Sequence, residues 1–146
     1  MRLQIERDAH AENLQEIRDF IETACRRAGV ERSAAFDLKL AVDEACSNIL
    51  EHGYAGQKPG PIRISFDAAS ERVVVTIADQ GRAFDPKNVA APDLDSDWEH
   101  RQIGGLGWHL IRRSVDSVSY ESGTELGNRL TLMKMTPLAK ASSRAE

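Results

Sequence analysis

Two short runs of strict alternation constrain this chain most. Ile62, Ile64 and Phe66 recur at every second residue, and so do Val73, Val75 and Ile77. Side chains alternate across a strand, so each run predicts a strand with one apolar face. Only the polar link from Asp67 to Arg72 separates them, which predicts an antiparallel hairpin. A sheet with one apolar face needs a second layer to cover it. That layer is legible upstream. Leu14, Ile17, Phe20, Ile21 and Ala24 recur at helical spacing and predict a helix over Asn13 to Ala28, with Gly29 placed to end it. Ala34, Leu38, Ala41, Val42, Ala45 and Ile49 predict a second helix over about Ser33 to His52, ended by Gly53 and followed by a loop over Gly56 to Pro61. Leu3 and Ile5 alternate with polar residues and predict a short first strand.

Beyond the hairpin, periodicity fails from about Asp79 to Ile103. A loop of that length inside one domain is usually functional or mobile. A third helix follows, with Leu110, Ile111 and Val115 on its buried side. Closing strands over Ser117 to Ser122 and Arg129 to Met135 flank a turn at Gly123 to Gly127. The order predicts an α+β class: a two-layer sandwich with helices on one face of a mostly antiparallel sheet. With 146 residues the chain suits one domain, expected over 1–138, with a polar tail over 139–146.

Composition narrows the function classes. Lys and Arg number 19 against 23 Asp and Glu, a net charge of −4, and a general nucleic-acid binder would be basic. Cys25 and Cys46 lie in apolar helical patterns with no spacing for a metal site, so both are expected reduced in the core. Arg2 and Glu6 interrupt the start, no signal-peptide core follows, and no apolar run reaches membrane-span length. The expected location is cytoplasmic, with no membrane partner.

Three constellations carry chemistry. Glu44, Asn48 and His52 are four residues apart, which sets them along one edge of the second helix. On a helical wheel Glu44 and Asn48 lie at the polar margin of the apolar stripe, and His52 falls within it. An amide oxygen can ligate Mg²⁺ and a carboxylate can accept a proton, although a solvated polar face gives the same spacing. Asp79 continues the face of Val75 and Ile77, so it points toward the core as its strand ends and needs a partner. An adenine amino group would be one, and Gly81 would let a base approach the backbone; a plain Asp-x-Gly turn is the alternative. Gly104, Gly105, Leu106 and Gly107 open the third helix, where free N–H groups and the helix dipole favour an anion. The spacing is neither that of a Walker A loop nor of a Rossmann fingerprint, and a flexible hinge is the alternative.

Taken in order, these motifs resemble those of the GHKL ATPase superfamily, which has a Bergerat-type fold. The resemblance is closest to its anti-sigma-factor serine-protein kinases. Glu44-x-x-x-Asn48-x-x-x-His52-x-Tyr54 resembles the N box. Asp79-x-Gly81 with Phe84-Asp85-Pro86 resembles the first glycine box, and Gly104-Gly105-Leu106-Gly107 the second. Gly127-x-x-x-Thr131-Leu132 is a weaker match to the last box. The resemblance covers nearly the whole chain. It implies ATP and Mg²⁺, with Asn48 holding the ion and Glu44 as the general base toward a serine hydroxyl. Asp79 would accept from adenine with Thr131 nearby through water, and Gly81 would let the base lie flat. Gly105, Leu106 and Gly107 would present N–H groups to phosphate. The stretch from Asp85 to Ile103 would be a lid, with His100 and Arg101 toward the γ-phosphate and an acidic run at Asp93, Asp95, Asp97 and Glu99. Ala83 stands where many members have glycine. The implied partners are a STAS-type anti-sigma antagonist, a sigma factor or equivalent target, and a second copy in a homodimer, for which Leu3, Ile5 and the first helix are a candidate surface. A nucleotide-dependent binding switch without transfer and a detached histidine-kinase catalytic domain are the competing functions.

Overall fold

The structure, a computed structural model, describes residues 1–83, 103–124 and 127–139. Strand β1 (Arg2–Asp8) leads through a short 3₁₀ turn to helix α1 (Leu14–Ala28), which is followed by α2 (Arg32–Asn48). A π-helical turn over Ile49–Gly53 continues α2. Strands β2 (Pro61–Ala69) and β3 (Arg72–Asp79) form the hairpin. Helix α3 (Ile103–Ser114) precedes β4 (Ser117–Thr124) and β5 (Gly127–Met135). The five strands make one sheet in the order β1-β2-β3-β5-β4, and every pairing is antiparallel. This is the α+β class the periodicities predict.

The alternating runs decide which face is covered. Ile62, Ile64 and Phe66 of β2 and Val73, Val75 and Ile77 of β3 are fully buried, and their neighbours in sequence are not. Burying an aliphatic or aromatic side chain of this size contributes about 1.5–3 kcal/mol, so a one-residue slip of either strand would turn that gain outward. The helices supply the opposing layer through Ile17, Ile21 and Ala24 of α1, Leu38, Ala41, Val42 and Ala45 of α2, and Ile111 of α3. Cys25 and Cys46 are free and buried, as expected. Burial pushes the Cys25 thiol up to about 11 and that of Cys46 to about 12. Gly29 ends α1 at φ 75°, and the Val30 N–H donates back to the Cys25 carbonyl at 2.9 Å.

Several boundaries differ from the sequence expectation. The hairpin link is a two-residue turn, Ser70–Glu71, because pairing continues from Asp67↔Val74 to Ala69↔Arg72. Both turn residues have positive φ, 54° and 59°, the twist-matched form that short hairpins favour. The α-helical part of the second helix stops at Asn48. In the π-turn the Tyr54 N–H donates to the Ile49 carbonyl, five residues back, at 3.1 Å. The added residue shifts the angular phase, so His52 is exposed rather than within the apolar stripe. Ala139, expected in the tail, donates its N–H to the Gly29 carbonyl at 2.9 Å. Among the described residues no helix is long and apolar enough to cross a membrane.

Candidate functional site

Glu44 and Asn48 lie one turn apart on the flank of α2 that meets α3. A β-carbon built on Gly107 would come 2.8 Å from Oε2 of Glu44 and 3.9 Å from Oδ1 of Asn48. Glycine at 107 therefore makes room for the acid. Burial pushes the Glu44 carboxyl above the ordinary carboxylate range, and the charges of Asp43 and Glu51 push the same way. Asp43 itself is held at 2.8 Å by Arg18 of α1, which ties the two helices beside the acid.

Asp79 stands at the other end of the cleft, at the last position of β3, with only 6% of its surface exposed. Its Oδ1 accepts from the Gly81 N–H at 2.8 Å and from Nδ2 of Asn128 at 3.1 Å. The same Nδ2 donates to the Gly81 carbonyl at 2.9 Å. Burial raises the Asp79 carboxyl, while the bonds from Asn128 and Gly81 pull it down. Gly81 is required by close approach, since a β-carbon there would meet the Gly53 carbonyl oxygen at 2.6 Å. Tyr54 braces this corner: its hydroxyl accepts from the Gln80 N–H at 2.8 Å and donates to the Pro61 carbonyl at 2.9 Å.

Between Asn48 and Asp79 is a narrow cleft of about 40 Å³. Ala45, Ile49 and Leu130 give it apolar walls, and Trp108 and Tyr120 add aromatic rings. Asn48, Asp79 and Arg82 supply polar groups. A slot with apolar walls and a buried acceptor at one end suits a flat heterocycle carrying an amino group.

Asn48 and Asp79 line one cleft; Gly107 adjoins Glu44 and Asn48, and Gly81 is bonded to Asp79. Ala83 lies on the exposed chain just beyond it. Gly104, Gly105 and Leu106 are in the first turn of α3. α-Helical bonding draws the Gly107 N–H to the carbonyl four residues back, so the donors left for an anion lie earlier in that turn. Thr131 is not brought to Asp79. It pairs with Thr76, and its parity with buried Leu130 and Leu132 sends it to the other face of the sheet. Asn128 takes the place beside Asp79, directly opposite in the β3–β5 register and 4% exposed. Asn128, Leu130 and Leu132 share a period of two, a signal already present in the sequence. Trp108, Tyr120 and Arg82 carry no comparable local signal. The stretch from Asp85 to 102, with His100, Arg101 and the acidic run, lies outside the described residues, as do Phe84 and Pro86.

Among the described residues no group of three or more His, Cys, Asp or Glu is placed to hold a metal. The donors present fit Mg²⁺ shared with phosphate rather than a protein cage. Asn48 offers one hard oxygen beside the Glu44 carboxylate, and Mg²⁺ commonly takes one or two protein ligands plus phosphate oxygens.

Comparisons with known proteins give the family and the fold. A family profile described as Histidine kinase-like ATPase domain matches residues 8–134. Serine-protein kinase RsbW of Listeria monocytogenes is 33% identical over 106 residues, covering 68% of this chain and 68% of that protein. Serine-protein kinase RsbW of Bacillus cereus is 33% identical over 114 residues, covering 75% and 71%. The crystal structure of the RsbU and RsbW domains of Rv1364c from Mycobacterium tuberculosis superposes with a TM-score of 0.69 at 20% identity. That match covers 97% of this chain and 34% of that one, so the chain spans about a third of its length. A histidine kinase domain from the Erythrobacter litoralis EL346 blue-light activated kinase gives 0.53 at 21% identity, over 87% and 60% of the two chains. These two likenesses concern the fold. The chain belongs to the histidine kinase-like ATPase domain family, the GHKL group its motifs resemble, and its relatives there include RsbW serine-protein kinases.

Proposed function

We propose that this chain is an ATP-dependent serine-protein kinase and anti-sigma factor that phosphorylates a serine on a STAS-type antagonist and, in its other state, holds a sigma factor or equivalent target. The observation that carries the reading is the pairing of ends in one cleft. Asn48 of α2 and buried Asp79 of β3 line the same cleft, and Gly107 of α3 lies against Asn48 and its neighbour one turn back, Glu44.

The chemistry follows from that arrangement. Oδ1 of Asp79 is taken by Gly81 and Asn128, which leaves Oδ2 to accept from the amino group of adenine. Ala45, Ile49 and Leu130 exclude water from the base. Asn48 would hold Mg²⁺ through its amide oxygen, and the ion would supply charge neutralisation on the phosphates. The N–H groups opening α3 bind phosphate oxygens. Glu44 takes the proton of the serine hydroxyl as that oxygen bonds to the γ-phosphorus and the bond to the β,γ-bridging oxygen breaks, releasing ADP. Its raised proton affinity suits a general base. Positioning and charge neutralisation supply most of the rate in such transfers.

The test is transfer of radiolabelled γ-phosphate to purified STAS-domain proteins of the same organism, with MgATP binding followed by calorimetry. Transfer by the wild type, lost in Glu44→Ala with binding retained, is the expected result. Binding without transfer to any of them leaves a nucleotide-dependent binding switch. No MgATP binding by folded protein overturns the nucleotide reading itself.

A further inference from the structure

The β2–β3 hairpin ends on a rung that a side chain completes. Met1 and Ala68 exchange both backbone bonds, at 3.0 and 2.9 Å, and the Ala9 N–H donates to the Gly60 carbonyl at 2.8 Å. Even-numbered residues along β2 therefore bond to β1, and alternation turns the odd ones, Pro61 included, toward β3. The β2–β3 register ends at Ile62↔Asp79. Continued by one residue it sets Pro61 opposite Gln80, where a regular ladder would have the Gln80 N–H donate to the Pro61 carbonyl.

The Tyr54 hydroxyl takes this rung. It accepts from the Gln80 N–H at 2.8 Å and donates to the Pro61 carbonyl at 2.9 Å. The ring is buried, and residue 60 must be small beside it. A β-carbon on Gly60 would come 2.8 Å from Cε1 and 2.9 Å from the hydroxyl oxygen of Tyr54.

Beyond Gln80 the chain leaves the sheet and lies on the π-turn that continues α2. The Arg82 N–H donates to the Gly53 carbonyl, and Gly81 packs on the same oxygen. A β-carbon on Gly53 would lie 3.7 Å from Oδ1 of Asp79. Asp79 Oδ1 in turn accepts from the Gly81 N–H at 2.8 Å. Residues 53 and 54 thus hold both sides of the bend that orients the Asp79 carboxyl. Tyr54 itself is not part of the described wall of the cleft, so any effect on a ligand passes through Asp79.

We infer that Tyr54 is a positioning residue for the base end of the site. Its hydroxyl, inserted as the last rung of the β2–β3 ladder, keeps Gln80 off β2 and holds the Asp79–Gly81 bend against Gly53, in the position from which Asp79 accepts an amino group. The inference rests on the nucleotide reading above. Without the hydroxyl, the Gln80 N–H and the Pro61 carbonyl each lack a partner and can satisfy one another directly. Closing that rung draws Gln80 toward β2 and Gly81 away from Gly53, and with Gly81 goes a donor that orients the carboxyl.

Competition binding on the full chain tests it, with MgATP and with the magnesium salt of inosine triphosphate (MgITP). Inosine carries a carbonyl where adenine has its amino group, and the ribose and triphosphate are the same. The wild type is expected to prefer MgATP. Tyr54→Phe is expected to weaken MgATP by about tenfold, the order of one hydrogen bond, and to change MgITP by less than about twofold. Gly60→Ala keeps the hydroxyl but displaces the ring. It is expected to lower the preference in the same direction, and it carries the test if Tyr54→Phe does not fold. A merely structural role would weaken both nucleotides alike, so equal weakening overturns the inference, as does an unchanged preference in folded variants. A wild type that binds MgATP without preferring it to MgITP overturns this inference and leaves the nucleotide site standing. One that binds neither overturns the nucleotide reading and this inference with it.

Discussion

Oε2 of Glu44 on α2 lies 2.8 Å from where a β-carbon on Gly107 of α3 would be. The relationship joins two helices and assigns the glycine a duty that no anion-binding rule anticipates: it leaves space for an acid. Gly107→Ala should keep or raise thermal stability, since alanine in a helix interior is worth about 0.8–1 kcal/mol over glycine. Phosphoryl transfer should fall by about tenfold or more as the Glu44 side chain is displaced, because a small misplacement of a reacting group is costly. Melting curves and transfer assays on one preparation check both arms. Wild-type transfer in this variant would show that the contact has no part in catalysis.

Transfer should rise with pH as Glu44 loses its proton, over a window above the ordinary carboxylate range, because burial, Asp43 and Glu51 all favour the protonated form. Asp43→Asn should move that limb to lower pH. Glu44→Gln should remove transfer by about 10²-fold or more and leave MgATP affinity within a few fold. A pH–rate profile of single-turnover transfer reads all three.

Asp79 is raised chiefly by burial, so the folded state favours its neutral form more than the unfolded chain does. Its contribution to stability is fully present below the unfolded carboxylate pKa and is lost as pH rises through the folded value. Asp79→Asn should therefore gain stability relative to wild type as pH rises from acid to neutral, while adenine-nucleotide binding is lost. Urea unfolding at pH 4 and pH 7, paired with calorimetry, gives the sign. A variant less stable than wild type at both pH values would contradict it.

Asn128→Ala leaves Oδ1 of Asp79 and the Gly81 carbonyl each one donor short. It should cost about 1–3 kcal/mol of stability and weaken MgATP binding. Thr131→Ala, on the opposite face, should change binding little. Equal losses in the two variants would mean that Thr131 reaches the nucleotide after all.

Ser70 and Glu71 hold positive φ at the β2–β3 turn without glycine. Replacing the pair with Asn-Gly, the sequence this turn favours, should stabilise the protein, because the left-handed backbone costs an ordinary residue about 1–2 kcal/mol, with transfer unchanged. Thermal unfolding measures it.

Much of the fold was legible because its causes are local. The period of two in β2 and β3, the helical stripes of α1 and α2 and the left-handed end of α1 at Gly29 each depend on a few consecutive residues. The inward direction of Asp79 was legible for the same reason, since it continues the parity of Val75 and Ile77. The helical wheel failed at His52, because one extra residue in the π-turn changes the phase and no local pattern announces it.

The sequence by itself determined the layers, the hairpin and the residue types at three motifs. Only tertiary structure decided who meets whom. Asn128 lies 49 residues from Asp79, and strand register, not spacing, puts them side by side and sends Thr131 away. Gly81 on Gly53, and Glu44 on Gly107, are contacts between elements. Side-chain periodicity sets the face a residue occupies, but the partner on that face is chosen by how whole elements pack.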